Sequence, residues 1–263
     1  MQGRIGLAAA LLALGLAVAP ADAAASKKPT AGTTLKFDDQ QEYAACMTLA
    51  RRKPDEGLET ALAWQSRGGA EAAEHCAAVA LIGLGESSEA ANRLEKLGTR
   101  LGPARPGLAA EILAQAGQAW LMAGKPDRAY AVQTTALKMA PRDVDLLVDR
   151  AVTLGQAKNY WEAIDDLNRA HELAPRRADV LVFRASAYRF VDSPDLALED
   201  LDAAIKLDPK NPEAYLERGI LRRLANDRDG ARSDWLKTVS LGPGTPTAEA
   251  ARRNLELLDL KTQ

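Results

Sequence analysis

Four prolines, Pro141, Pro175, Pro209 and Pro243, fall 34 residues apart, inside the phrases MAP, LAP, LDP and LGP. A fixed period of this length means that the chain repeats one supersecondary unit, which cannot bury an apolar face alone and must stack on its neighbours. With each proline at position 32, the units run 110–143, 144–177, 178–211 and 212–245. Position 8 is then Gly117, Ala151, Ala185 and Gly219, and position 20 is Ala129, Ala163, Ala197 and Ala231. Position 27 is Ala136, Ala170, Ala204 and Thr238. Position 4 holds Leu113, Leu147, Leu181 and Tyr215, and position 30 holds Met139, Leu173, Leu207 and Leu241. The small residues let two helices approach closely, and the large apolar ones fill the space around that contact. The proline follows the second helix and cannot continue it. Composition agrees: 47% of residues are apolar but only 5% aromatic. The surplus is largely Ala and Leu, strong helix formers, whereas a sandwich or barrel would draw on β-branched and aromatic residues.

The pattern of a small residue at 8, Ala at 20 and 27 and Pro at 32 resembles the tetratricopeptide repeat (TPR) family. That resemblance implies an all-α, right-handed superhelical solenoid of helix-turn-helix repeats, with first helices lining a concave face. Upstream the period decays. Residues 38–109 read as degenerate TPR-like helix pairs, one over 38–70 and one over about 71–104, with Ala78 and Ala90 at positions 8 and 20. PARPG at 103–107 reads as a breaker before the regular array. Residues 246–263 read as a capping helix, with Ala251, Leu255 and Leu258 expected to face inward and Arg252, Arg253, Glu256 and Asp259 outward. An end helix with a polar outer face is what an open solenoid requires.

The N-terminus reads as an address. Arg4, an apolar run from Ile5 to Val18 and Ala21-Asp22-Ala23 have the order of a secretory signal peptide over 1–23, cleaved near Ala23. The run is too short to span a membrane, since Pro20 and Asp22 interrupt it, so no membrane insertion is expected. Residues 24–37 are polar and aperiodic and read as a flexible linker. The expected product is a soluble exported protein of the bacterial periplasm.

Candidate chemistry is thin. A net charge of −2 lacks the basic excess that a nucleic-acid binder uses against phosphate. No glycine-rich phosphate loop, G-x-S-x-G or H-E-x-x-H occurs, so the expectation is a non-enzymatic chain with no cofactor and no metal. His75, Cys76 and Cys46 could be three metal ligands, but no fourth sits at finger-like spacing. Because stacked repeats place first helix on first helix, Cys46 and Cys76 are expected to be neighbours, and export favours a disulfide between them. His171 and the four tryptophans, Trp64, Trp120, Trp161 and Trp235, read as packing residues. Position 7 holds Arg150, Arg184 and Arg218 where position 23 holds Asp166, Asp200 and Asp234, while the first unit has Ala116 and Val132. The joint change predicts an Arg–Asp pair between the two helices of a repeat.

What remains is a surface. By resemblance, positions 2, 5, 9, 12 and 13 point into the groove. They nominate Val148, Val152, Val182, Ser186, Arg189, Phe190, Leu216, Ile220 and Arg223 as a protein-binding face. The Lys and Asn with which some family members clamp a terminal carboxylate are missing at positions 5 and 9, which argues against docking of chaperone tails. The resemblance implies a protein-protein interaction scaffold or adaptor that binds a segment of an envelope protein. The alternative is a self-associating structural or assembly factor in envelope biogenesis or secretion, a homo-oligomer.

Overall fold

The structure, a computed structural model, describes residues 40–260. The expected signal peptide and linker therefore lie outside the described residues. Among these, thirteen α-helices and one short 3-10 turn occur, with no strand. Two pairs come first: α1 (Gln40–Arg52) with α2 (Pro54–Ser66), and α3 (Ala70–Gly83) with α4 (Ser87–Leu101). After the turn Gly102–Ala104 follow α5 (Pro106–Met122) with α6 (Pro126–Met139) and α7 (Val144–Gln156) with α8 (Tyr160–Leu173). The array continues through α9 (Ala178–Phe190) with α10 (Pro194–Leu207), then α11 (Pro212–Leu224) with α12 (Arg228–Leu241), and ends on α13 (Pro246–Leu260). Each helix packs on the next, and first helices also touch, α1 on α3, α7 on α9 and α11 on α13. This is the stacked solenoid that the period demands.

Local sequence sets the helix ends. Pro54, Pro106, Pro126, Pro194, Pro212 and Pro246 each open a helix at its first position, where the missing N–H costs nothing. Asp143 and Asn211 cap α7 and α11 by accepting from the amides of Leu146 and Ala214, at 3.1 and 3.0 Å. The same rule corrects one boundary. α5 begins at Pro106, ahead of the start that the period gives the first regular unit, because that proline is a helix starter and only Gly102–Ala104 and Arg105 break the chain. The turn inside each regular repeat places one residue in the left-handed region: Gly124 (φ 69°), Lys158 (64°), Asp192 (56°) and Asn226 (62°). Gly, Asp and Asn accept that conformation readily, and Lys158 does so at a cost of about 1 kcal/mol.

The contact at position 8 has a partner at position 24. A Cβ on Gly219 would lie 2.7 Å from Cδ1 of Trp235, and one on Gly117 would lie 2.7 Å from Cγ of Gln133. In the two middle repeats Ala151 and Ala185 face the smaller Leu167 and Leu201. Glycine thus stands where the facing side chain is large or long. Trp235 is fully buried and donates its indole N–H to the carbonyl of Leu216 at 3.2 Å. Trp64 and Trp120 are also buried, but Trp161 is 62% exposed, so the packing role expected of it does not hold.

The Arg–Asp pairs are present in all three repeats. Arg150 reaches Asp166 through Nε and Nη2, both at 2.7 Å. Arg184 reaches Asp200 at 2.8 and 2.7 Å, and Arg218 reaches Asp234 at 3.0 and 2.8 Å. In each case Nη1 donates to the preceding repeat, to Thr134, Asn168 and Asp202 respectively. One guanidinium therefore holds its own helix pair together and ties it to the previous pair.

Candidate functional site

The first helices α7, α9 and α11 carry every residue nominated for the protein-binding face. They do not share one environment. Val148, Val182 and Ser186 are only 6–7% exposed, so they form the bed beneath the face and offer little surface themselves. Val152, Arg189, Phe190, Leu216, Ile220 and Arg223 are partly exposed, and Leu216 and Ile220 lean on the core around Trp235. Leu224, next to Arg223, is 63% exposed.

The two arginines also differ. A groove residue would offer a free guanidinium, but the Nε of Arg189 donates to Glu217 of α11 at 3.0 Å. The same guanidinium lies 4.3 Å from the ring centre of Phe190. Phe190 in turn stacks on Tyr160 of α8, with centroids 4.5 Å apart and planes within 5°. Glu217, Arg189, Phe190 and Tyr160 form one braced wall across three repeats. Arg223 makes no ion pair among the described residues.

Behind that wall lies an apolar hollow of about 40 Å³ between α7, α8 and α9. Val152, Gly155, Tyr160, Phe183, Ser186 and Phe190 line it. A second, shallower depression of about 400 Å³ is bordered by His171, Glu199 and Lys206, beside Arg184 and Asp200. Arg184 and Asp200 are committed to each other, which leaves Glu199 and Lys206 as its other charged side chains.

At the N-terminal end Cys46 of α1 and Cys76 of α3 form a disulfide, with Cα atoms 6.1 Å apart. The first-helix stacking that predicts the contact is the reason for it. Both sulfurs are thereby used, which removes them as metal ligands alongside His75. Sequence reasoning misses what His75 does. It is fully buried, with Nδ1 2.6 Å from the Tyr43 hydroxyl and Nε2 2.8 Å from Oε1 of Gln115. The chain of contacts runs from α1 through α3 to α5, and no repeat-based signal marks it.

Burial pushes the His75 imidazole down to about 4, and burial likewise pushes the Tyr43 phenol up to about 12. Unfolded, the imidazole returns to its ordinary value of 6.5. Between those two values the unfolded chain binds the extra proton, so stability falls as pH drops from 6.5 towards 4. The loss sums to about 3 kcal/mol over that window. Urea unfolding of the His75→Gln variant is expected to lack this decline between pH 6.5 and 5, where few carboxylates titrate. An unchanged slope in the variant would assign the pH dependence elsewhere.

No protein-family profile matches the sequence, and no curated protein matches it. Solved structures do match. A tetratricopeptide repeat protein from Parabacteroides merdae ATCC 43184 superposes with a TM-score of 0.61 at 21% identity, covering 82% of this chain and 84% of that one. MamA gives 0.54 at 20% identity, over 62% and 93% of the two chains. YrrB, described as a TPR protein with an unusual peptide-binding site, gives 0.52 at 18% identity, over 73% and 96%. What this chain shares with them is the fold, the solenoid of helix-turn-helix repeats.

Proposed function

We propose that this tetratricopeptide-repeat solenoid is a non-enzymatic interaction scaffold of the bacterial cell envelope that receives a segment of a partner protein on the face formed by repeats 144–245. One observation carries the reading. Val152, Phe190, Ile220 and Leu224 are exposed or partly exposed apolar side chains on three consecutive first helices, and Arg223, next to Leu224, makes no ion pair among the described residues. Burying such side chains contributes about 25 cal/mol per Å², and the rigid fork of donors on Arg223 suits a carboxylate on the partner. The partner is therefore an amphipathic segment, extended or helical, bearing at least one acidic side chain. The peptide-binding site named for YrrB supports the same use of the fold. The periplasmic assignment is supported by the pattern of residues 1–23 and by the disulfide, a bond that persists in oxidising compartments.

Peptides selected from a random display library against the full chain test this. Their affinities, measured by calorimetry, are expected to fall at least tenfold on Arg223→Glu and on Leu224→Asp. Both side chains lie at the surface, so the melting temperature should hold. A Lys237→Glu change on α12 should leave affinity intact. Unaltered affinity in both groove variants would move the binding face elsewhere.

A further inference from the structure

We propose that the outer face of α8 and α10, centred on Trp161, docks a segment of a second protein that carries arginine or lysine side chains; this face is separate from the groove and does not rest on the groove reading. First helices of successive repeats touch, whereas second helices stand further apart, so the second helices form the outer side of the array. Trp161 opens this face in the first turn of α8. It is the most exposed aromatic side chain among the described residues, and no cation or ring of those residues lies against it. Leu196, in the first turn of α10, is 47% exposed and adds apolar area.

The carboxylates around Trp161 are unanswered as well. Position 18, where Trp161 stands, holds Asp127, Asp195 and Asp229 in the other regular repeats, so aspartates flank it on α6 and α10. Asp165 shares its side of α8 one turn on, and Glu199 is the counterpart of Asp165 on α10. Asp165, Asp195 and Glu199 are exposed and make no ion pair among the described residues. The cations of these two helices are placed elsewhere. Arg169 donates to the carbonyl of Pro141 and lies 3.7 Å from the buried Asp166, and Lys206 sits two turns beyond Glu199. An acidic residue in the first turn answers the helix dipole, which accounts for Asp195. Asp165 and Glu199 lie deeper in their helices, where that reason no longer holds.

The chain contains the completed form of such a site. Over Trp120 lie the guanidinium of Arg128, 4.7 Å from the ring centre, and the ammonium of Lys125 at 5.1 Å. Glu95 accepts from the indole N–H at 2.9 Å and from Arg128 at 3.0 Å. Tyr130, Tyr188, Phe190 and Tyr215 each have an arginine within 6.0 Å of the ring centre too. At Trp161 the ring and the carboxylates are in place and the cation is missing. Arginine satisfies both at once, its plane on the indole and its donors on a carboxylate, and lysine does so as a point charge. The carboxylates turn away an acidic segment.

The probe is the peptide acetyl-Ala-Arg-Ala-Ala-Arg-Ala-amide beside its citrulline counterpart, which keeps the shape and lacks the charge. Both are titrated into the 15N-labelled full chain at low salt while the tryptophan indole N–H signals are followed. The arginine peptide is expected to shift the Trp161 signal and to bind about fivefold tighter than the citrulline peptide, and to weaken as salt is added. Trp161→Ala is expected to weaken it about threefold, and Asp165→Asn with Glu199→Gln by about as much again. All three side chains are exposed, so the melting temperature should hold. Arg223→Glu should leave this affinity unchanged, which reads failure of the groove and failure of this face apart. Equal binding of the two peptides, or full affinity in the Trp161→Ala chain, would overturn the docking face. So would a dimer in sedimentation that Trp161→Ala disperses, since the face would then belong to a second copy of the chain.

Discussion

Replacing Cys46 and Cys76 with serine, or reducing the bond between them, is expected to unfold α1–α3 well before the rest of the array, because α4 buries Leu94, Leu97 and Leu101 in the same core as α5. The two residues lie 30 apart in sequence, and closing a loop of that size stabilises by about 3–4 kcal/mol in the chain-entropy account. The surrounding core makes that contribution decisive. Apart from Met47 and Trp64 it is built of Ala50, Ala61, Ala72, Ala73, Ala77 and Ala80, residues that bury little apolar area each. The regular repeats instead bury Leu147, Leu167, Leu181 and Leu201. A solenoid is stable as a sum of repeats and nearest-neighbour contacts, so loss at one end need not propagate. Hydrogen exchange should therefore show protection lost over residues 40–83 and kept over 144–241 in the double variant. A single cooperative loss across the whole chain would contradict this expectation. His75 sits next to Cys76 in sequence and bridges α1 to α5 through Tyr43 and Gln115, a second link of this region to the array.

Most of the fold is legible in the sequence because its constraints recur. Positions 8, 20, 27 and 32 are set by backbone approach and helix termination, which every repeat must solve in the same way. The Arg–Asp pairs are legible for the same reason, since both partners change together. The contact from each arginine back to the preceding repeat is not. Its acceptors are Thr134, Asn168 and Asp202, three chemistries that satisfy one donor. The left-handed residue of the turn is hidden likewise among Gly124, Lys158, Asp192 and Asn226. At the binding face, side-chain direction alone misleads. Val148, Val182 and Ser186 occupy positions assigned to the face but are buried, and burial depends on residues of adjacent helices. Arg189 is answered by Glu217, yet the same position in the other repeats is Gln115, Asp149 and Phe183, so no period announces the pair. The hollow is lined by Gly155 where its sister repeats have long side chains, and an absence of side chain is the weakest of sequence signals.

Arg184→Ala is expected to destabilise the chain by about 3–5 kcal/mol, more than the removal of any surface ion pair. The reason is the carboxylate left behind. The side chain of Asp200 is 8% exposed and receives both of its bonds from Nε and Nη2 of Arg184. Without them a charge is held out of water with nothing to answer it. The substitution also removes the bond from Nη1 to Asn168, 2.9 Å away in the preceding repeat, so the joint between repeats 144–177 and 178–211 weakens as well. The size of this loss does not mean that the pair itself is strongly stabilising, since bringing two charges out of water consumes most of what their attraction returns. The chain contains its own control. In the first regular repeat the equivalent positions are Ala116 and Val132, both buried, and the helices there pack without any charge. Arg184→Met combined with Asp200→Leu should accordingly recover most of the loss and lie within about 1–2 kcal/mol of the natural chain. Urea unfolding of the two singles and the double, read as a double-mutant cycle, measures this directly. A double variant as unstable as Arg184→Ala would mean that the pair, and not the avoidance of a lone buried charge, holds the central repeats together. Recovery by the apolar pair would give the ladder a different role, that of fixing the register in which one repeat seats upon the next, through a donor that a methionine cannot supply.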